Sequence, residues 1–204
     1  MEQSKKYELL NKDIIELGGI TLFRIKALIS FGNVKKGELG GYVEKEGNLC
    51  HSGNAWVSDN AKVYGNAEVT GDAWVSGDAW VSGDARVTGD ASVSGNARVC
   101  GKAKVTGDAE VYGNAKVTGS AEVTGNAKVV GNAEVCDNAK VTDNAKVTGD
   151  AKVTDNAKVY DNAEVSGNAE VTGDAKVSDN AKVSDNATVS GNAWVFGNVK
   201  VTGR

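Results

Sequence analysis

From Gly53 to Thr202 the chain consists of 25 consecutive hexads of the form [Gly/Asp]-[Asn/Asp]-Ala-x-Val-[Thr/Ser], with no insertion or deletion. Val fills the fifth place of every hexad, from Val57 to Val201, and Ala fills the third in all but the last, where Val199 stands. Residues two apart lie on the same side of a strand, so each hexad supplies one short strand with an Ala-Val inward face. A strand this short cannot bury that face alone. Successive hexads must therefore stack and share one core, which is the logic of a solenoid. A disordered polar segment would not place Val so regularly.

The remaining two positions read as corners. Gly tolerates any backbone conformation, and Asn and Asp are the side chains that best tolerate positive φ, so Gly-Asn, Gly-Asp and Asp-Asn suit tight corners. Asp-Asp occurs in none of the 25 corners, as expected where adjacent like charges are avoided.

An aliphatic residue followed four places later by a small one, as in Val57 with Ala61 and Val63 with Ala67, resembles the hexapeptide-repeat family. That resemblance implies three hexads per triangular coil and a left-handed superhelix. Handedness comes from the resemblance alone, because the general rule for parallel crossovers gives the opposite. The expected fold is all-β: a left-handed parallel β-helix of about eight triangular coils over residues 53–204, preceded by a small N-terminal β cap over residues 1–52.

Within residues 1–52, Thr21 to Ile29 alternates partly and reads as a strand, Tyr7 to Leu10 as a shorter one, and Gly40-Gly41 as a turn before Tyr42-Val43. The run Leu22-Phe-Arg-Ile-Lys-Ala-Leu, followed by Gly37-Glu-Leu-Gly-Gly-Tyr-Val-Glu and Gly53-Asn-Ala-Trp-Val, resembles the start of uncharacterised phage and prophage hexapeptide-repeat proteins. The resemblance implies a phage or mobile-element origin and brings no established activity with it.

Formal net charge is −4, with 8 Lys/Arg against 7 Asp/Glu in residues 1–52 and 15 against 20 from residue 53 onward. No basic stripe marks a nucleic-acid footprint, and the interspersed Lys and Glu lack the carboxylate excess of a DNA mimic. Cys50, Cys100 and Cys136 are odd in number and widely spaced, fitting neither a disulfide framework nor a zinc site and indicating a reducing compartment. The first 20 residues carry Lys5, Lys6, Asp13 and Glu16 and no long apolar core, so neither a signal peptide nor a membrane span is expected, and the expected location is cytoplasmic.

With 18 residues per coil, outward residues fall into columns. Thr70, Thr88, Thr106, Thr124 and Thr142 form one, beside the charged column Glu68, Arg86, Lys104, Glu122 and Lys140; Thr here suits an exposed strand. Lys140, Lys158 and Lys176 are like-charged neighbours that an acidic partner would suit. Asp72, Asp90 and Asp108 stack at one corner, as do Asp143, Asp161 and Asp179, without the glycine-rich nonapeptide calcium signature.

Outward aromatics gather at the ends: Trp56, Tyr64, Trp74 and Trp80 in the first coils, Trp194 and Phe196 in the last. Exposed aromatics of this size mark contact surfaces. These six are the candidate partner or self-association residues, with burial under the N-terminal segment as the plainer role of the first four. The last two point to a homo-oligomer that uses the C-terminal coils.

Many hexapeptide-repeat proteins are acyltransferases with a His as general base between subunits, usually beside an extruded loop. This chain has one His, His51, ahead of the first coil, and no extruded loop; the three His of the related zinc carbonic anhydrases are lacking. Cys100 and Cys136 lie two coils apart without a nearby base. No catalytic residue, metal ligand or cofactor is expected. The favoured expectation is a non-enzymatic, phage-encoded binding or structural protein that engages a host protein, for example to inhibit a defence factor. The alternative is a diverged acyltransferase with an inter-subunit site near His51.

Overall fold

A computed structural model describes residues 5–203. The 25 hexads form strands β4 (Trp56–Val57) to β28 (Lys200–Thr202), each centred on the x-Val pair. They pair in parallel with the strand one coil away, Val57 beside Val75, Val63 beside Val81, Val69 beside Val87. Three sheets result, and each is one face of the solenoid. Face I begins at β4 and has nine strands; face II contains β5 (Lys62–Val63) and has eleven; face III begins at β6 (Glu68–Val69) and has eight. With the turn contributed by the N-terminal segment the parallel β-solenoid has about nine turns.

The inward Ala and Val residues are buried from Ala55 to Val189. Each buried Val contributes roughly 1.5 kcal/mol or more from surface removed from water, offset by the entropy of ordering the chain. Backbone direction gives the stack a polarity. The N–H of the x residue donates to the Ala carbonyl of the next coil, as from Trp56 to Ala73, that of the Thr/Ser position to the Val carbonyl, as from Ser58 to Val75, and the second corner N–H to the first corner carbonyl, as from Asn60 to Gly77. The N-terminal rim of the stack is therefore rich in carbonyls and the C-terminal rim in N–H groups.

At the corners the sequence pairs divide their work. Positive φ falls on the first corner residue throughout, on Gly or on seven Asp between +57° and +61°, and on no Asn among the described residues. The expected sharing of left-handed conformation by Asn thus gives way to a different role. Asn side chains at the second corner position form ladders: Asn126 donates to Asn144, Asn144 to Asn162 and Asn162 to Asn180, one coil apart each time. The first-corner Asp carboxylates accept the backbone N–H of the corner below: Asp143 from Asp161, Asp161 from Asp179, Asp179 from Gly197. A carboxylate so placed supplies an acceptor that Gly lacks, which offsets the strain of a left-handed non-glycine residue. The Asp143-Asp161-Asp179 stack is thus part of the backbone hydrogen-bond system.

The N-terminal segment is a three-stranded antiparallel meander, β1 (Tyr7–Leu17), β2 (Ile20–Ala27) and β3 (Leu39–Val43), whose last strand runs parallel to β5 and joins face II. Gly40-Gly41 does not form the expected turn but lies inside β3. A Cβ on Gly40 would stand 2.5 Å from the Val57 carbonyl oxygen, and one on Gly41 2.6 Å from that of Ala61. The pair is glycine because backbone meets backbone there. Val43 stacks on Val63 and Leu49 on Val69, so the inward columns start ahead of the first hexad. A 3-10 turn, Glu46–Asn48, is the one helical element of the described residues, and no helix is long and apolar enough to cross a membrane.

Candidate functional site

The carbonyl rim of the first coil is closed by three devices. On face II the β3 backbone donates, Tyr42 N–H to Ala61 and Glu44 N–H to Val63. At the start of face III, Asn48 replaces backbone with side chain: its fully buried amide donates to the carbonyls of Gly65 (3.1 Å) and Ala67 (2.9 Å), while its Oδ1 accepts the Lys45 N–H. At the start of face I the buried Lys6 ammonium donates to Ala55 (2.8 Å) and Gly53 (3.3 Å) and lies 4.6 Å from the Phe31 ring centre. Burial pulls the Lys6 amine below its ordinary pKa. Neither Lys6 nor Asn48 stood out in the sequence, since nothing in the repeat foretells which groups reach its rim.

His51 belongs to this cap. Its Nδ1 accepts the Lys6 backbone N–H at 3.2 Å and its ring stacks on Tyr7 at 4.4 Å. Nε2 is shut off from solvent without a partner, and burial lowers the imidazole pKa. The Tyr7 hydroxyl lies 2.8 Å from the carbonyl oxygens of both Glu46 and Leu49. These are packing contacts, with the imidazole edge facing protein.

The six aromatic candidates separate into three groups. Trp56 is fully buried, covered by Phe31 (5.4 Å between ring centres) and Tyr7 (6.5 Å), and offers no surface. Tyr64, Trp74 and Trp80 are half-buried. Trp80 lies between the Lys62 ammonium (5.5 Å) and the Arg98 guanidinium (5.2 Å), with Tyr64 at its edge. Trp194 and Phe196 are exposed, 57% and 55%, and touch each other with ring centres 5.2 Å apart. Beside them Val199, an inward residue by phase, is 50% exposed, whereas inward residues of the middle coils are fully buried. The aromatic end surface is thus made by Trp194 and Phe196.

Charged columns are mostly self-neutralised. Glu122 sits between Lys104 (3.0 Å) and Lys140 (2.8 Å), and Glu164 between Lys146 (3.7 Å) and Lys182 (2.7 Å), both carboxyls held below their usual range by hydrogen bonds from lysine. Face III departs from this below Glu122, where Lys140, Lys158 and Lys176 stack in register. They line a shallow groove of about 300 Å³ with Thr142, Asp143 and Tyr160. Among the described residues no group of three or more His, Cys, Asp or Glu could hold a metal ion, and the three cysteines are free.

No curated protein matches the chain. Two stretches, residues 79–95 and 181–197, match a family model described as the YdcK beta solenoid repeat. Each begins at an inward Ala, ends at a corner Gly and covers almost one turn. This match and the parallel stacking of the hexad strands on three faces together support a β-helix repeat protein.

Proposed function

We propose that this chain is a non-enzymatic binding and structural module that works by protein–protein contact, with a contact between copies through the C-terminal coils. The observation that carries the reading is the Trp194–Phe196 pair. Two large rings are exposed by more than half on a coil whose own inward Val199 is also exposed. Burying such a surface is favourable by roughly 25 cal/mol per Å² of apolar area, and aromatic residues dominate contact energies where they occur. The cap geometry supports the non-enzymatic reading, because His51 turns one nitrogen to the Lys6 amide and the other into protein.

The likeness of the cap and first hexad to phage and prophage proteins extends the proposal: a phage-encoded, left-handed hexapeptide solenoid acting in the host cytoplasm on a host protein. Sedimentation of the double variant Trp194→Glu, Phe196→Glu tests the central reading. A drop to monomer mass supports it, and an unchanged mass rejects it.

A further inference from the structure

The lysine column of face III interrupts a pattern of lysine–carboxylate pairing that faces I and II keep through the middle coils. On face I the adjacent Lys128 and Lys146 also stack, yet each reaches a carboxylate, Glu110 at 2.9 Å and Glu164 at 3.7 Å. On face II, Lys116 and Lys152 reach Glu134 and Glu170. Lys62 and Arg98 lie over Trp80. On face III the one neighbouring acid, Glu122, is already shared by Lys104 and Lys140. Lys158 and Lys176 have no carboxylate within 4 Å among the described residues, and Lys158 has no aromatic face either. Stacking like charges one coil apart is unfavourable, and the repeat accepts Glu at this position in other coils.

The column also has a shaped surrounding. Tyr160 rises between the small Thr142 and Ser178 in the adjoining column and walls the groove. At its lower end the Trp194 indole N–H donates to the buried Ser178 hydroxyl at 3.3 Å, and the Lys176 ammonium lies 5.6 Å from the indole centre. Three ammonium groups and two aromatic rings thus line one strip parallel to the solenoid axis.

We infer that this strip is a docking site for an extended acidic peptide segment carrying Asp or Glu at alternate positions with an apolar or aromatic residue among them. The three lysines span two coil steps, roughly 10 Å. Alternate side chains of an extended segment are about 6.8 Å apart, so two carboxylates fit within that span with each ammonium in reach. A polyphosphate or nucleic acid fits less well. Affinity for such polyanions needs many neutralised phosphates, whereas the strip offers three ammonium groups; the corner carboxylates Asp143, Asp161 and Asp179 alongside it each accept a backbone N–H of the next coil. The apolar residue of the segment meets Tyr160, which walls the groove, and Trp194 is left to the end-to-end contact. This inference goes beyond the end-to-end contact, and its readout is separate from oligomer mass.

The test is fluorescence anisotropy of the full chain with a labelled synthetic peptide bearing two Asp and one Phe at three alternate positions, so that all three side chains face one side, at physiological salt. Saturable binding is expected, weakened at least about tenfold by Lys158→Glu with Lys176→Glu. The charge-matched double variant Lys116→Glu with Lys152→Glu on face II should leave it within about twofold. Thermal melts of both variants, and the milder Lys158→Gln, check that the outward substitutions leave the fold intact. Absence of binding overturns the inference, as does equal loss in the two double variants, or tighter binding of an oligothymidylate through the same lysines.

Discussion

The Lys6 ammonium stands 2.8 Å from the carbonyl oxygen of Ala55, in the place where a preceding coil would have put a backbone N–H. A solenoid begins with a rim of carbonyls, and a buried carbonyl without a donor costs about 1–3 kcal/mol. Lys6 and Asn48 each satisfy two such groups with one side chain.

Removing either donor should therefore fray the first coil while leaving the middle of the rod intact. Lys6→Met, which keeps the stem and loses the donors, is expected to lower stability by about 1–3 kcal/mol, and Asn48→Ala by a similar amount. Hydrogen exchange read by mass spectrometry should quicken over residues 42–70 and stay unchanged beyond residue 110. Uniform quickening along the chain would contradict a cap that acts locally.

The corner Asp residues make a sharper prediction, because two effects oppose each other. Asp161 has φ of +58°, and its carboxylate accepts the Asp179 N–H at 3.2 Å. Asp161→Gly removes the strain and the acceptor together and is expected to change stability by less than about 0.5 kcal/mol. Asp161→Ala keeps the strain without the acceptor and should cost about 1–2 kcal/mol. Thermal melts that order the three as Asp and Gly above Ala support this division, and Ala equal to Asp would remove the carboxylate from the account.

How far these features were legible differs by residue. Val57 to Val201 repeat without a break, so every inward position and face followed from counting. Gly40-Gly41 is ambiguous in sequence because a Gly pair signals a turn and a close backbone approach alike, and only the packing of β3 over the Val57 and Ala61 carbonyls separates them. Trp56 carries the same hexad phase as Trp194, yet one is buried and the other exposed. The difference lies in Phe31 and Tyr7, which reach Trp56 from residues distant in sequence. Lys6 had no periodic signal at all.

Acid should loosen the cap before it affects the rest. His51 is the one histidine of the chain, burial above all lowers its pKa from the ordinary 6.5, and its Nδ1 accepts the Lys6 N–H. Below pH 6.5 the unfolded chain binds a proton more readily than the folded one, so stability is lost as pH falls through that window. An imidazolium also has no lone pair for the Lys6 amide. The melting temperature of the natural chain should fall between pH 7 and pH 5.5, and that of His51→Gln should stay flatter. Equal slopes would show that His51 titrates without coupling to the fold.

The three thiols offer a last test that reads local electrostatics directly. Cys50 Sγ lies 2.9 Å from the Ser52 hydroxyl oxygen and accepts the Ser52 backbone N–H at 3.4 Å, and these bonds with the nearby Lys6 charge lower its pKa against the effect of burial. Cys100 is pushed up by burial, and Cys136 up to about 11 by burial together with the Asp137 carboxylate it touches at 3.3 Å. Thiolate is the reactive form, so alkylation by iodoacetamide at pH 8 should proceed in the order Cys50, Cys100, Cys136. Asp137→Asn should speed Cys136 and leave Cys100 unchanged, because it removes a neighbouring negative charge without altering burial. Peptide mass spectrometry of timed samples gives all three rates at once, and a Cys136 rate indifferent to Asp137 would assign its slowness to burial alone.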